Sequence, residues 1–117
     1  MSIAIVVSEN HVQGRAVSDV LRADFKDVLL VHDPYALFAE LDDMVPDLIV
    51  LDLMMAGVSA MAVLHELVAD PLLSEVRTII LTQDEELSIE DFAGYNVGGV
   101  VKLRDFQPEN LRELCRH

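Results

Sequence analysis

The run Leu48-Ile49-Val50-Leu51, followed at once by Asp52, constrains the fold more than any other stretch of the chain. A strand with one wet face alternates apolar and polar residues, whereas an unbroken aliphatic run needs cover on both faces. Ile3–Val7 and Val28–Val31 are built in the same way. Several doubly covered strands in one short chain imply a parallel sheet with helices on each side. A carboxylate inside such a sheet would be costly, so Asp52 is expected at the carboxyl end of its strand.

The segments between these runs carry helical patterns. Val12, Ala16, Val17, Val20 and Leu21 fit one helical face, and Asn10 with Gln13 three residues later resembles a capping box at its start. Asp33-Pro34 supplies a cap and a first-turn proline for a helix with Leu37, Phe38, Leu41 and Met44-Val45 inward. Ser59 is placed to cap a third helix, with Met61, Leu64, Leu67 and Val68 on one face and Asp70-Pro71 at its end. Val76–Thr82 is a fourth strand. Ser88 and Asp91 open a short fourth helix with Ile89 and Phe92 inward, Gly98–Lys102 is a fifth strand, and Pro108 starts a last helix. Phe106 and Leu111 around that proline have the spacing of a hydrophobic staple. Five strands alternating with five helices predict a flavodoxin-like (βα)5 three-layer sandwich. Right-handed crossovers favour a parallel sheet of order 2-1-3-4-5. With 117 residues, 52% of them hydrophobic, and no internal repeat or linker, residues 1–117 are read as one domain.

Function in such a sheet gathers at the carboxyl ends of the strands. Those ends are Ser8-Glu9, Asp52, Thr82 and Lys102, on strands that are neighbours in the expected order. Glu9 and Asp52 brought within ~4 Å would repel by about 4 kcal/mol at an effective dielectric near 20. Such a pair protonates, recruits a cation, or is neutralised by Lys102. Mg2+ suits it, taking one or two carboxylates and filling its other sites with water and phosphate oxygens. Asp52 is also a competent nucleophile towards phosphorus, and Thr82 and Lys102 would share the phosphoryl charge.

These residues resemble the receiver domains of two-component response regulators over essentially the whole chain. The matching segments are IAIVVSEN, PDLIVLDLMMAG, TIILTQ and GGVVK, in receiver order and spacing. The resemblance implies that Asp52 is the phosphoacceptor, Thr82 the switch hydroxyl and Lys102 the phosphate-pairing lysine. It implies a Mg2+ site of Glu9, Asp52 and the Met54 carbonyl, with Ser8 acting through a water. It further implies a histidine kinase or phosphotransfer protein as phosphoryl donor. An output domain, a partner protein or a second copy of the chain would receive the signal.

The chain departs from the family pattern at several points. Ser8 stands where receivers carry the first of two acids, which predicts weaker Mg2+ affinity. Leu103 replaces the proline after the lysine. A trans bond is preferred there by ~2.5–4 kcal/mol, so Lys102 is expected to be aimed differently. Ala56 replaces a common proline, and Gln83 replaces a small residue and is expected to crowd the site mouth. Gly99 stands where the family has an aromatic that moves inward on activation. Asp84 occupies the position at which receivers tune water access. These departures motivate an alternative reading, a pseudo-receiver that binds partners without regulated phosphorylation. A flavin carrier on the same fold is a third reading, but SENHVQG lacks a hydroxyl- and glycine-rich phosphate loop, and the chain has no Trp.

The remaining features narrow the setting. A net charge of −13, from 21 acids against 8 bases, opposes direct binding to nucleic acid or anionic lipid. No apolar run reaches the ~20 residues of a membrane span. The single Cys115 excludes an internal disulfide and fits a reducing cytoplasm. His11, His32, His65 and His117 have no ligand spacing and are read as ordinary surface or boundary residues. The acidic run Thr82–Asp91 is read as a solvated loop and helix start.

Overall fold

A computed structural model describes residues 2–53 and 60–116. The aliphatic runs form five strands: β1 (Ile3–Val7), β2 (Asp27–Val31), β3 (Leu48–Asp52), β4 (Arg77–Thr82) and β5 (Val97–Lys102). All neighbouring pairs are parallel, and the sheet order is β2-β1-β3-β4-β5, the order expected of a flavodoxin-like sandwich. Central β3 is buried along its whole length, as its unbroken aliphatic run requires. Edge strand β2 is only half-buried, because it has one neighbour to pair with.

Among the described residues four α-helices cover the sheet: α1 (His11–Leu21), α2 (Pro34–Leu41), α3 (Ala60–Ala69) and α4 (Pro108–Arg116). Strand side chains alternate between faces, and this divides the core into two layers. Ile5, Val7, Ile49, Leu51 and Ile80 pack with Leu37 of α2 and Val63, Leu64 and Leu67 of α3. Ala4, Val6, Leu48, Val50, Ile79 and Leu81 pack with Val17 and Leu21 of α1 and Leu111 of α4. Phe106 and Leu111 join this second layer, on either side of the Pro108 helix start. No helix among the described residues is long and apolar enough to cross a membrane.

Several helical expectations are corrected. The expected fourth helix is a single 3₁₀ turn, Ile89–Phe92, which buries Phe92 but leaves Ile89 exposed. Asp91 accepts a hydrogen bond from the Ser88 N–H at 2.9 Å. The Glu90 carboxyl is held below its ordinary range, first by the Ser88 hydroxyl and then by a backbone hydrogen bond. In α1, Val12 is 82% exposed and Ala16 is also exposed. The buried stripe is Gly14, Val17, Ser18 and Leu21, and the Ser18 hydroxyl is satisfied by the Gly14 carbonyl at 2.8 Å. α2 stops at Leu41, so Met44 and Val45 lie beyond it and Val45 is exposed. On α3, Met61 and Val68 face outward while Ala60 and Val63 are buried. Ser59, the expected cap of α3, lies outside the described residues.

Candidate functional site

β1 and β3 run side by side with Val7 opposite Leu51, which brings Ser8, just past the end of β1, level with Asp52, the last residue of β3. Both belong to the register that faces α1, the register of Ala4, Val6, Leu48 and Val50. Asp52 is 1% exposed and Ser8 fully buried, so the carboxylate needs partners inside the protein. Ser8 Oγ donates to Asp52 Oδ2 at 2.9 Å. The same hydroxyl oxygen accepts from the Asn10 N–H at 3.2 Å, which fixes the turn into α1.

The second partner is Gln13. Its side-chain Nε2 lies 2.7 Å from the same Asp52 oxygen. A carboxylate only accepts hydrogen bonds, so the amide must present its NH2 there. The capping box expected at this helix start is therefore half built. Asn10 Oδ1 accepts from the Gln13 N–H at 2.9 Å, but the Gln13 side chain turns inward to Asp52 instead of back to the Asn10 backbone. Gln13 is a site residue that the sequence reading assigned to helix capping. Its signal was present in the Asn10-x-x-Gln13 spacing and had two uses.

Thr82 and Lys102 belong to the opposite register, that of Ile80 and Val100, which faces α3 and the 3₁₀ turn. Thr82 is 3% exposed, and its hydroxyl accepts from the Asp84 N–H at 3.0 Å. Lys102 is half-buried, and the Lys102–Leu103 peptide is trans. Its ammonium donates to the carbonyls of Asp84 and Glu85, each at 3.0 Å, and to that of Leu87. Those three bonds use all three ammonium protons. The acidic segment after β4 is thus organised through its backbone, around one lysine.

The expected site residues therefore form two groups. Ser8 and Asp52 meet, with Gln13 joining them, while Thr82 and Lys102 both tie down residues 84–87. Glu9 is exposed beside Ser8, and Met54 lies outside the described residues. A groove of about 430 Å³ lined by Gln13, Gln83, Leu103 and Arg104 opens beside the first group. Two histidines without ligand spacing in the sequence come together in space. The His11 and His32 rings meet at a tilt of 34° with centroids 3.9 Å apart, and His32 Nδ1 lies 3.1 Å from the Ser8 carbonyl.

Mg2+ needs oxygen lone pairs turned towards it. At Asp52 Oδ2 the Ser8 hydroxyl and the Gln13 amide turn hydrogen inward instead, and these two donors are neutral. Among the described residues no three His, Cys, Asp or Glu side chains are grouped to hold a metal ion. This donor set, taken among the described residues, does not fit Mg2+.

No protein-family model and no curated protein matches the sequence. Solved structures do match. The chemotaxis response regulator CheY4 of Vibrio cholerae is similar at 17% identity and a TM-score of 0.83, covering 99% of this chain and 97% of its own. The N-terminal receiver domain of a two-component response regulator from Bacteroides fragilis matches at 20% identity and a TM-score of 0.83, over 99% and 94% of the two chains. The receiver domain of the sensor histidine kinase PA1611 from Pseudomonas aeruginosa, a structure with magnesium coordinated in its active-site cleft, matches at 19% identity and a TM-score of 0.82, over 98% and 94%. The chain has the fold of response-regulator receiver domains.

Proposed function

We propose that this chain is a response-regulator receiver module of two-component signal transduction, with Asp52 as its phosphoacceptor. The observation that carries this reading is the buried Asp52 carboxylate at the carboxyl end of the central strand, in a receiver fold. In the reaction a carboxylate oxygen of Asp52 attacks the phosphorus of a phosphohistidine on a kinase or phosphotransfer protein. The O–P bond forms as the P–N bond breaks, and the departing imidazole carries away the electron pair and takes up a proton. The aspartyl group changes from one negative charge to about two and gains acceptor oxygens. Swinging a 1:99 population to 99:1 then needs about 5.5 kcal/mol of preference for the active form. Lys102 can supply part of that only by leaving the carbonyls of residues 84–87. Output passes to a further domain, a partner protein or a second copy.

A second reading is favoured by one observation, the neutral clamp on Asp52 together with the engaged Lys102. Under it the module binds partners in this arrangement and is not switched by phosphorylation. Incubation with acetyl phosphate or phosphoramidate, with and without Mg2+, followed by intact mass, separates the two. The first reading expects an adduct of about 80 Da that is lost in Asp52→Asn. An unmodified chain, or an adduct that survives Asp52→Asn, leaves the interaction module.

A further inference from the structure

We propose that the Gln13 carboxamide, together with the Ser8 hydroxyl, stands in place of a divalent cation at Asp52, so that Gln13 is the positioning residue of a metal-independent site. The inference rests on reading Asp52 as the functional acid, but not on its phosphorylation.

A buried carboxylate is tolerated when a cation, a neighbouring positive charge or several hydrogen-bond donors compensate it. The ammonium nearest in the strand order, Lys102, gives its protons to the carbonyls of Asp84, Glu85 and Leu87. The acid expected next to Glu9 is Ser8, whose single proton goes to Asp52 Oδ2. Gln13 adds a second neutral donor at 2.7 Å, a short distance for a neutral donor on a charged acceptor. Its amide reaches the same oxygen as the hydroxyl, so that oxygen's lone pairs are turned to hydrogen. The groove beside the clamp continues the theme, for among the described residues its lining is Gln13, Gln83, Leu103 and Arg104, which supply amide and guanidinium donors. That chemistry suits a phosphoryl anion better than a metal ion.

Gln13 sits in the first turn of α1, half-exposed, where it can be changed without opening the core. In Gln13→Glu a near-isosteric carboxylate faces Asp52 where a donor stood, so the variant should need the cation that the wild type does without. The test uses the full chain and Mg2+ alone, read by the Asp52 13Cγ resonance and by thermal unfolding. In the wild type neither signal should respond to Mg2+ through the low millimolar range. Gln13→Glu should unfold at lower temperature without Mg2+, recover with it, and bind it at least about tenfold more tightly than the wild type. Gln13→Ala, which folds with a good helix former at that position, should shift the Asp52 13Cγ resonance by removing its amide donor. Three results each overturn the proposal: a wild-type Asp52 signal that saturates with Mg2+, a Gln13→Ala spectrum with Asp52 at its wild-type position, or a Gln13→Glu variant indifferent to Mg2+. None of these readouts uses a phosphodonor, so failure here is distinct from failure of the phosphoacceptor reading.

Discussion

On the α1 side of the sheet, Ser8 and Gln13 turn two protons towards one buried carboxylate oxygen. On the other side Lys102 turns three protons outward, towards a loop that is mostly exposed. The cause is the two-residue period of the strands. Asp52 and Ser8 share the register of the α1 layer, while Thr82 and Lys102 share the register of the α3 layer. One rim of strand ends thus carries two hydrogen-bond networks, and the members named here belong to one or the other. The lesson is that nearness along a sheet edge does not by itself make one site. The face on which each end residue emerges decides its partners.

The largest expected effect probes the buried network. Ser8→Ala removes a donor from a carboxylate that is 1% exposed and an acceptor from the Asn10 N–H, and should cost about 3 kcal/mol in urea unfolding. Lys102→Met removes three hydrogen bonds, but two are to exposed carbonyls that water can satisfy, so it should cost about 2 kcal/mol. It should also expose residues 84–87 to faster proteolysis, which Ser8→Ala should not. A Lys102→Met variant costlier than Ser8→Ala would reverse the comparison. The double variant sharpens it further, for networks without a common member should add to within about 0.5 kcal/mol. A coupling well above that would mean that the two halves of the rim act as one unit.

How much of this was legible in the sequence follows from what each feature is made of. The doubly covered parallel sheet followed from unbroken aliphatic runs such as Leu48–Leu51, and its order from the preference for right-handed crossovers. The Phe106 and Leu111 pairing was equally legible, since a staple is a spacing of two apolar residues around a helix start. The α1 face was misread because hydrophobicity points to Val12 and Ala16. The helix instead packs through Gly14 and Ser18, whose small size and internal hydrogen bond let them be buried. Gln13 was hidden by an ambiguous motif. The acidic segment after Thr82 was hidden for another reason: its side chains suggest solvent, while its backbone carbonyls hold Lys102, and carbonyls leave no mark in a sequence.

A third, smaller effect concerns the β5–α4 flank, where Gly99 replaces the aromatic that receivers move. A Cβ placed at Gly99 would lie 2.6 Å from Leu114 Cδ2, so α4 fills the space that an aromatic would claim. Gly99→Phe must displace the flexible tip of Leu114 and should destabilise by about 1.5 kcal/mol. A variant as stable as the wild type would mean that this flank, unlike the Asp52 clamp, has room to rearrange.

The smallest effect tests that same flank chemically. The Cys115 thiol is pushed up to about 11, chiefly by burial, with Arg77 pulling it down and Asp24 adding to the rise. A raised thiol pKa means that the folded chain holds its proton longer than the unfolded one. The associated stability is therefore complete below the ordinary thiol value and is lost as pH climbs towards 11. Alkylation at pH 8 should accordingly run about a hundredfold slower in the folded chain than in urea, since only the thiolate reacts. Arg77 lies over Gly98, where a Cβ would meet its guanidinium carbon at 2.8 Å. Gly98→Ala should therefore push the cation aside and slow alkylation by a further few-fold, with no change in the Mg2+ response of Asp52. Faster alkylation in that variant would mean that α4 had lifted from the sheet, and that the β5–α4 flank is held more loosely than the buried clamp across the rim.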